Sequence, residues 1–171
     1  MDTRRQWVAR VAGMVALGVG AGSEALAART ERSFNVAQSQ SWRGELNGVL
    51  RDNILRFWLD KSIDREHGGY FMHFDEAGVR KAENTKAIVT QARTLWLFSR
   101  ASRNDYEGQG MPARDELLSA ARHGFHYLRD HMWDSTYGGF FWTLDPVAGT
   151  IPMPGKHLYG QSFALYALAE Y

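Results

Sequence analysis

The sequence contains no cysteine and almost no net charge, and each absence excludes a class of protein. Its 171 residues include 20 basic and 19 acidic residues, for a formal net charge of +1. Without cysteine, the chain has no disulfide framework, no thiolate metal site and no cysteine nucleophile. Without a basic excess, it lacks the charge expected of a nucleic-acid-binding protein. No nucleic acid or other charged polymer is therefore expected as a partner.

Long apolar runs are also missing. The apolar stretch over residues 11–22 (VAGMVALGVGAG) falls short of the roughly 20 residues that span a bilayer. Three arginines precede this stretch, and Ala25 and Ala27 follow it in the positions of a signal cleavage site. Residues 1–27 are therefore predicted to be a secretory signal, the alternative being an uncleaved N-terminus that is amphipathic or anchors the protein to a membrane.

The pair Arg4-Arg5 is followed by Trp7-Val8, which is close to the twin-arginine export pattern. We therefore expect a periplasmic or secreted bacterial protein with no stable membrane association after the signal is removed. The remaining residues, 28–171, contain 17 basic and 17 acidic side chains.

An internal repeat organises the rest of the sequence at an offset of 70 residues. Residues 64–75 (DREHGGYFMHFD) align with residues 134–145 (DSTYGGFFWTLD). At the same offset, Lys86 aligns with Lys156 and Gln91 with Gln161. An offset shared by separate segments predicts two copies of one structural unit.

Each copy reads as a helix, a short hairpin and a second helix. Apolar periodicity predicts helices over residues 42–61 and 85–102, with the Gly-Gly break and the turn at residues 75–78 forming a hairpin between them. The polar residues 103–112 predict a loop, and the pattern then repeats over residues 113–171. Helix pairs at a fixed period form an open solenoid or a closed ring.

Two helix pairs are too few to bury the apolar faces of such a repeat, since about three or more are usually needed. The helical pattern also continues to Tyr171 with no glycine, proline or polar stop. We therefore interpret residues 28–171 as the N-terminal part of a larger domain.

The two Gly-Gly hairpins, residues 86–98 (KAIVTQARTLWLF) and residues 156–171 (KHLYGQSFALYALAEY) together resemble the N-acylglucosamine 2-epimerase family. The resemblance implies an all-α fold, an (α/α)6 barrel of which this chain holds the first two helix pairs. It also implies an isomerase: a sugar 2-epimerase or aldose–ketose isomerase that acts on a small reducing sugar. Neither a metal nor an organic cofactor is expected, and a homodimer is left open.

Arg93 and Tyr159 match family positions that contact the sugar. The resemblance implies that Arg93 is catalytic, because it binds the substrate and stabilises the enediolate that forms when the C2 proton is removed. Tyr159 is implied to help position the sugar. Their repeat counterparts are Phe163 and Val89, so the repeat by itself demands neither residue.

Gln161 and Trp142 complete the expected substrate-binding set. Trp142 lies on the second hairpin, where its ring could stack on a sugar. Gln161 and Gln91 share a repeat position, which favours a structural role such as tying the start of a helix to its hairpin. Sugar contact by Gln161 is the alternative.

Histidine suits proton transfer at C2 because its ordinary pKa lies near neutrality. None of the six histidines here matches the family's catalytic ones, so little or no catalysis is expected from this chain alone. His123 and His126 have metal-ligand spacing but lack a third ligand, and no metal site is expected.

Two other functions remain open. An α/α-barrel glycoside hydrolase would need paired carboxylates. Asp75 and Asp145 occupy equivalent turns of the two repeats, which favours a structural role for both. A non-catalytic helical-repeat module that binds a sugar or a protein is the other alternative.

Overall fold

The computed structural model describes residues 36–103 and 110–171. The chain divides into two compact units, Met1–Arg43 and Gly44–Tyr171. Only residues 36–43 of the first unit are described, and they are helical. The predicted signal at residues 1–27 and most of the predicted loop lie outside the described residues. Apart from the start of the first helix, everything below concerns the second unit.

The predicted helices are present, with small shifts of their ends. Helix α1 (Val36–Val49) continues through a π-helical segment (Leu50–Leu55) into α2 (Arg56–Lys61). The next helices are α3 (Ile88–Arg103) and α4 (Arg114–Tyr127), which ends in a second π-helical segment (Leu128–Met132). Helix α5 (Leu158–Glu170) is the last. We call residues 44–103 the first repeat and residues 114–171 the second repeat.

One small antiparallel sheet connects the two repeats. Its strands lie in the order β1 (Lys86–Ala87), β2 (Thr143–Asp145) and β3 (Thr150–Met153). Ala87 lies opposite Thr143, which in turn lies opposite Met153. Strands β2 and β3 are the predicted hairpin of the second repeat. In the first repeat, the equivalent hairpin is a single bridge between Phe74 and Arg80.

The core lies where α3 packs against α4 and α5. Small residues on α4 allow the first hairpin to approach closely. Tyr70 is fully buried, and its hydroxyl donates to the carbonyl of Ala120 at 2.7 Å. A Cβ atom at Gly124 would collide with the edge of the Tyr70 ring. Each large apolar side chain buried here contributes about 1.5–3 kcal/mol.

Each Gly-Gly turn is held by an aspartate and a lysine. Asp64 accepts the backbone N–H groups of Glu66 and His67, while its other oxygen accepts from Lys86 Nζ at 2.7 Å. Asp134 accepts from Lys156 Nζ at 2.5 Å and from the equivalent N–H groups of its own turn. The repeat therefore extends to individual hydrogen bonds.

The two Asp–Lys pairs have lowered carboxyl pKa values. Burial raises the pKa of Asp64, but Lys86 and the two N–H groups together lower it further, to below its usual value. The hydrogen bond from Lys156 is the main cause of the lowered pKa of Asp134. Burial lowers the pKa of Lys86, and Asp64 offsets part of that effect. Both turns thus carry a carboxylate near neutral pH.

A glutamine ties each second helix to its hairpin. Gln91 accepts the N–H of Tyr70 at 2.8 Å and donates to the carbonyl of the same residue at 2.7 Å. Gln161 makes both bonds with Phe140, each at 2.8 Å. The predicted structural role of these glutamines is confirmed. Within the described residues, no helix is long and apolar enough to cross a membrane.

Candidate functional site

An aromatic cleft of about 530 Å³ lies along α3 and α5. This volume is within the range of small-molecule sites in proteins. One charged side chain, that of Arg93, lies among its aromatic, apolar and hydroxyl groups. The lining residues are Trp58, Met72, Thr90, Arg93, Thr94, Trp96, Leu97, Phe163 and Tyr166.

Arg93 is exposed in the cleft, and its direction follows from the glutamine tie. Two residues that are two positions apart on a helix are rotated by about 200° around the helix axis, so their side chains face nearly opposite sides. Because Gln91 faces the hairpin, Arg93 faces the opposite side of α3. Its guanidinium carbon lies 5.8 Å from the centroid of the Phe163 ring. It makes no ion pair or hydrogen bond with any other residue that the structure describes. Its donors are therefore available to a ligand oxygen.

Tyr159 contacts the same phenyl ring. The centroids of the Tyr159 and Phe163 rings are 4.9 Å apart, in an edge-to-face arrangement. Tyr159 is exposed on the first turn of α5 and stands outside the cleft lining. The structure thus brings the two residues with the strongest sequence prediction together around Phe163.

Trp142 and Gln161 are placed where they support α5. The ring centroids of Trp142 and His157 are 4.7 Å apart, and the indole lies 3.1 Å from where a Cβ atom of Gly160 would be. The Trp142 carbonyl accepts the N–H of Ile88 at 3.0 Å. The side-chain amide of Gln161 is engaged by Phe140. Neither residue lines the cleft, and their expected sugar contact stays a prediction.

Two aromatic residues that the sequence analysis did not select help to form the site. Trp96 and Tyr166 are repeat counterparts and stack at 5.4 Å with an interplanar angle of 17°. Tyr166 follows Phe163 by three residues, as Trp96 follows Arg93, so each pair lies on one helix face. That spacing, combined with the 70-residue offset, is the signal that could have identified them.

No histidine or carboxylate lines the cleft among the described residues. His123 Nε2 lies 3.0 Å from the carbonyl oxygen of Gly69, and His157 packs on Trp142. Asp75 and Asp145 each accept two backbone N–H groups of their own turns, as their structural interpretation predicts. No group of three histidine or acidic side chains that could hold a metal occurs in the described ranges.

Comparison with known proteins identifies the family. The sequence profile of N-acylglucosamine 2-epimerase (GlcNAc 2-epimerase) matches residues 69–171. The chain belongs to the N-acylglucosamine 2-epimerase family. It is 32% identical over 127 residues to cellobiose 2-epimerase of Ruminococcus albus, covering 74% of this chain and 30% of that protein. The chain thus spans about a third of the length of such relatives.

Solved structures of sugar epimerases and isomerases share the fold. Cellobiose 2-epimerase from Spirochaeta thermophila matches with a TM-score of 0.68 and 35% identity, over 81% of this chain and 32% of that one. A D-mannose isomerase matches with a TM-score of 0.63 and 27% identity, over 81% and 32% of the two chains. The expected all-α fold, made of helix pairs of an (α/α)6 barrel, is confirmed over the matched part.

Proposed function

We propose that this chain forms the substrate-holding part of a cofactor-independent sugar 2-epimerase or aldose–ketose isomerase. The substrate is a reducing sugar, and the reaction moves the proton at C2 through an enediolate. The observation that carries the proposal is Arg93, an exposed cation without a protein partner among the described residues, set in an aromatic cleft. Family membership supplies the reaction class.

Arg93 has two tasks in this proposal. Its guanidinium donates hydrogen bonds to the sugar oxygen next to C2 and so orients the substrate. When the C2 proton leaves, negative charge develops on that oxygen, and the positive charge stabilises it. The aromatic surfaces of Phe163, Trp96 and Tyr166 suit the apolar C–H face of a pyranose.

Proton removal and return require an acid–base pair, and the described residues place none in the cleft. We therefore expect the 171-residue chain to bind sugar without measurable turnover. Tyr159 contributes from the edge of the site, beyond Phe163. The names of the relatives make cellobiose, mannose and N-acylglucosamine reasonable probes, and the sugar preference itself remains to be measured.

A chimera gives the direct test of this function. Residues 44–171 replace the matching segment of the R. albus enzyme, and exchange of the C2 proton of cellobiose is followed by NMR in D₂O. Removing an electrostatic stabiliser of the transition state typically lowers rates by about 10²–10³-fold, and we expect that loss for Arg93→Ala. Arg100→Ala is the control, since Arg100 is on the same helix and faces Glu170. A folded chimera in which Arg93→Ala leaves exchange unchanged would contradict the proposal.

We also propose that residues 1–27 direct export by the twin-arginine route. The sequence pattern is the support. Expression in a bacterium should yield a periplasmic protein whose N-terminus is Ala28, as determined by mass spectrometry. Replacing Arg4 and Arg5 by lysine should retain the protein in the cytoplasm with its leader attached. Unchanged export of that variant would exclude the twin-arginine route.

A further inference from the structure

Helices α3 and α5 contact each other through pairs of repeat counterparts. At three positions, a side chain of α3 contacts the side chain 70 residues later on α5. The pairs are Arg93 with Phe163, Trp96 with Tyr166, and Arg100 with Glu170. Successive pairs are three or four residues apart, so each lies about one helical turn from the next. The two helices therefore pack side by side and in register.

Arg93 is held differently from the two arginines in the last turn of α3. Arg100 and Arg103 each have a guanidinium nitrogen 3.7 Å from the same carboxylate oxygen of Glu170. An ion pair offsets the charge and can take up N–H donors. Within the described part of the chain, Arg93 has no such partner, and its contact is with the face of the Phe163 ring.

An aromatic face suits a cation that has to bind a ligand. The face of the ring carries negative electrostatic potential and attracts a guanidinium group that lies within about 6 Å of the ring centroid. The separation of 5.8 Å between Arg93 and Phe163 meets this condition. Because the attraction acts on the charge as a whole, the N–H donors of the guanidinium group stay free for ligand oxygens.

The Phe163 ring is itself anchored. It is half-buried and packs against the hydrophobic core. Tyr159, one turn earlier on α5, contacts it edge to face with 4.9 Å between the ring centroids. A long side chain such as that of Arg93 loses rotamer freedom when it is ordered, and contact with an anchored ring offsets part of that cost. Phe163 can therefore fix the direction of the Arg93 side chain.

We propose that Phe163 is a positioning residue, which holds Arg93 toward the ligand through the electron-rich face of its ring. The inference rests on the function proposed above for Arg93 and adds a requirement to it. The ring must supply its charge distribution as well as its apolar surface. A ring of nearly the same shape with an electron-poor face should therefore position Arg93 less well, whereas a merely structural role would depend on shape alone.

NMR of the 171-residue chain tests the contact without any sugar. The Nε–H proton of Arg93, identified by the loss of its signal in Arg93→Lys, should be shifted upfield by the ring current of Phe163. Phe163→Leu should move this signal to the range of exposed arginines, and Phe163→Tyr should keep it in place. The signal of Arg100 is the internal reference, because Arg100 faces Glu170. An Arg93 signal that is the same in the parent chain and in Phe163→Leu would overturn the proposal.

Fluorination of the ring separates charge distribution from shape. Para-fluorophenylalanine and pentafluorophenylalanine are incorporated at position 163, and the affinity for cellobiose, mannose and N-acylglucosamine is measured by saturation-transfer NMR. Binding should weaken in the order of fluorine number, by about two- to fivefold for the pentafluoro ring. The same replacements at Phe98 are the control, since this ring is fully buried in the core and no cation among the described residues lies over it. They should leave the affinity unchanged.

Two outcomes distinguish this proposal from the proposed function. If Arg93→Ala weakens sugar binding but pentafluorophenylalanine at position 163 does not, the positioning role is wrong and the proposed function stands. If none of the three sugars binds, or if Arg93→Ala has no effect, the proposed function is wrong. The Arg93 signal then still decides whether Phe163 holds the guanidinium group.

Discussion

At the scale of single residues, Gly69 is fixed by its backbone and by its neighbours. Its φ is +69°, a left-handed conformation that side-chain-bearing residues rarely adopt. A Cβ atom there would also lie 2.6 Å from Gln91 Oε1 and 2.7 Å from the Tyr127 ring. Gly69 therefore lies in close contact with both Gln91 and the Tyr127 ring.

Gly69→Ala should therefore lower the free energy of unfolding by about 1–3 kcal/mol through backbone strain alone, with collision adding to the loss. Gly48→Ala is the matched control, because Gly48 is helical and has open space where its Cβ would be. That substitution should raise stability by about 0.5–1 kcal/mol. Urea unfolding measures both values. Equal effects of the two substitutions would show that the turn tolerates a side chain.

At the scale of structural elements, two polar ties fix the start of each second helix. The Asp–Lys pair closes the Gly-Gly turn, and the glutamine joins the helix to the hairpin backbone. Through these ties, the first turns of α3 and α5 are held in defined rotations. Arg93 and Tyr159 owe their placement around Phe163 to this arrangement.

The glutamine ties make a testable difference between the repeats. Gln91→Ala would leave the N–H and carbonyl of Tyr70 unpaired in a buried site, at a cost of about 1–3 kcal/mol for each group. Gln161→Ala exposes the groups of Phe140 in a partly open site, so its loss should be smaller. Urea unfolding of both variants measures the difference. A larger loss for Gln161→Ala would contradict the burial of the first tie.

The Asp–Lys pairs predict a defined acid sensitivity. Both carboxyl groups have lower pKa values in the folded chain than the ordinary value of about 3.9 in the unfolded chain. The unfolded chain therefore binds more protons in this range, so stability is full above about pH 5 and falls as the pH drops through the folded values.

Asp134→Asn should flatten the fall of stability between about pH 5 and pH 2, measured by urea unfolding at several pH values. Glu45→Gln, which removes a carboxylate at an exposed helical position, is the control. The account of the second turn would be wrong if Asp134→Asn kept the acid slope of the parent chain.

The sequence predicts these elements well where the information is local or repeated. The 70-residue offset identified both turns and both glutamines, since equivalent residues make equivalent bonds. The π-helical segments escaped prediction because apolar spacing does not reveal a shift in backbone hydrogen bonding. Periodicity gives no information on contacts between distant parts of the chain. The pairing of β1 with β2 and the stacking of Trp96 on Tyr166 are contacts of this kind. Gln161 was selected from a sequence motif and Trp142 from its place on the second hairpin, but neither signal tells where the side chain packs.

At the scale of the whole molecule, the two repeats share one architecture and differ in what covers them. The first is sealed by α4 and Tyr127, and the second exposes the equivalent surface. The candidate site lies along α3 and α5, where the first repeat offers Arg93 and the second offers Phe163 at the same position. Arg93 is thus a cation at a repeat position where packing does not require one.

The most direct test of this account is whether the cleft at Arg93 binds a reducing sugar. A saturation-transfer NMR titration of the 171-residue chain would compare a reducing disaccharide with the alditol obtained by reducing it. We expect saturable binding that favours the reducing form, unchanged by Arg100→Ala. It should weaken at least about tenfold in Arg93→Ala, since hydrogen bonds to a charged group contribute about 1.5–3 kcal/mol. Equal affinity of the parent chain and Arg93→Ala, or no saturable binding at all, would contradict the account.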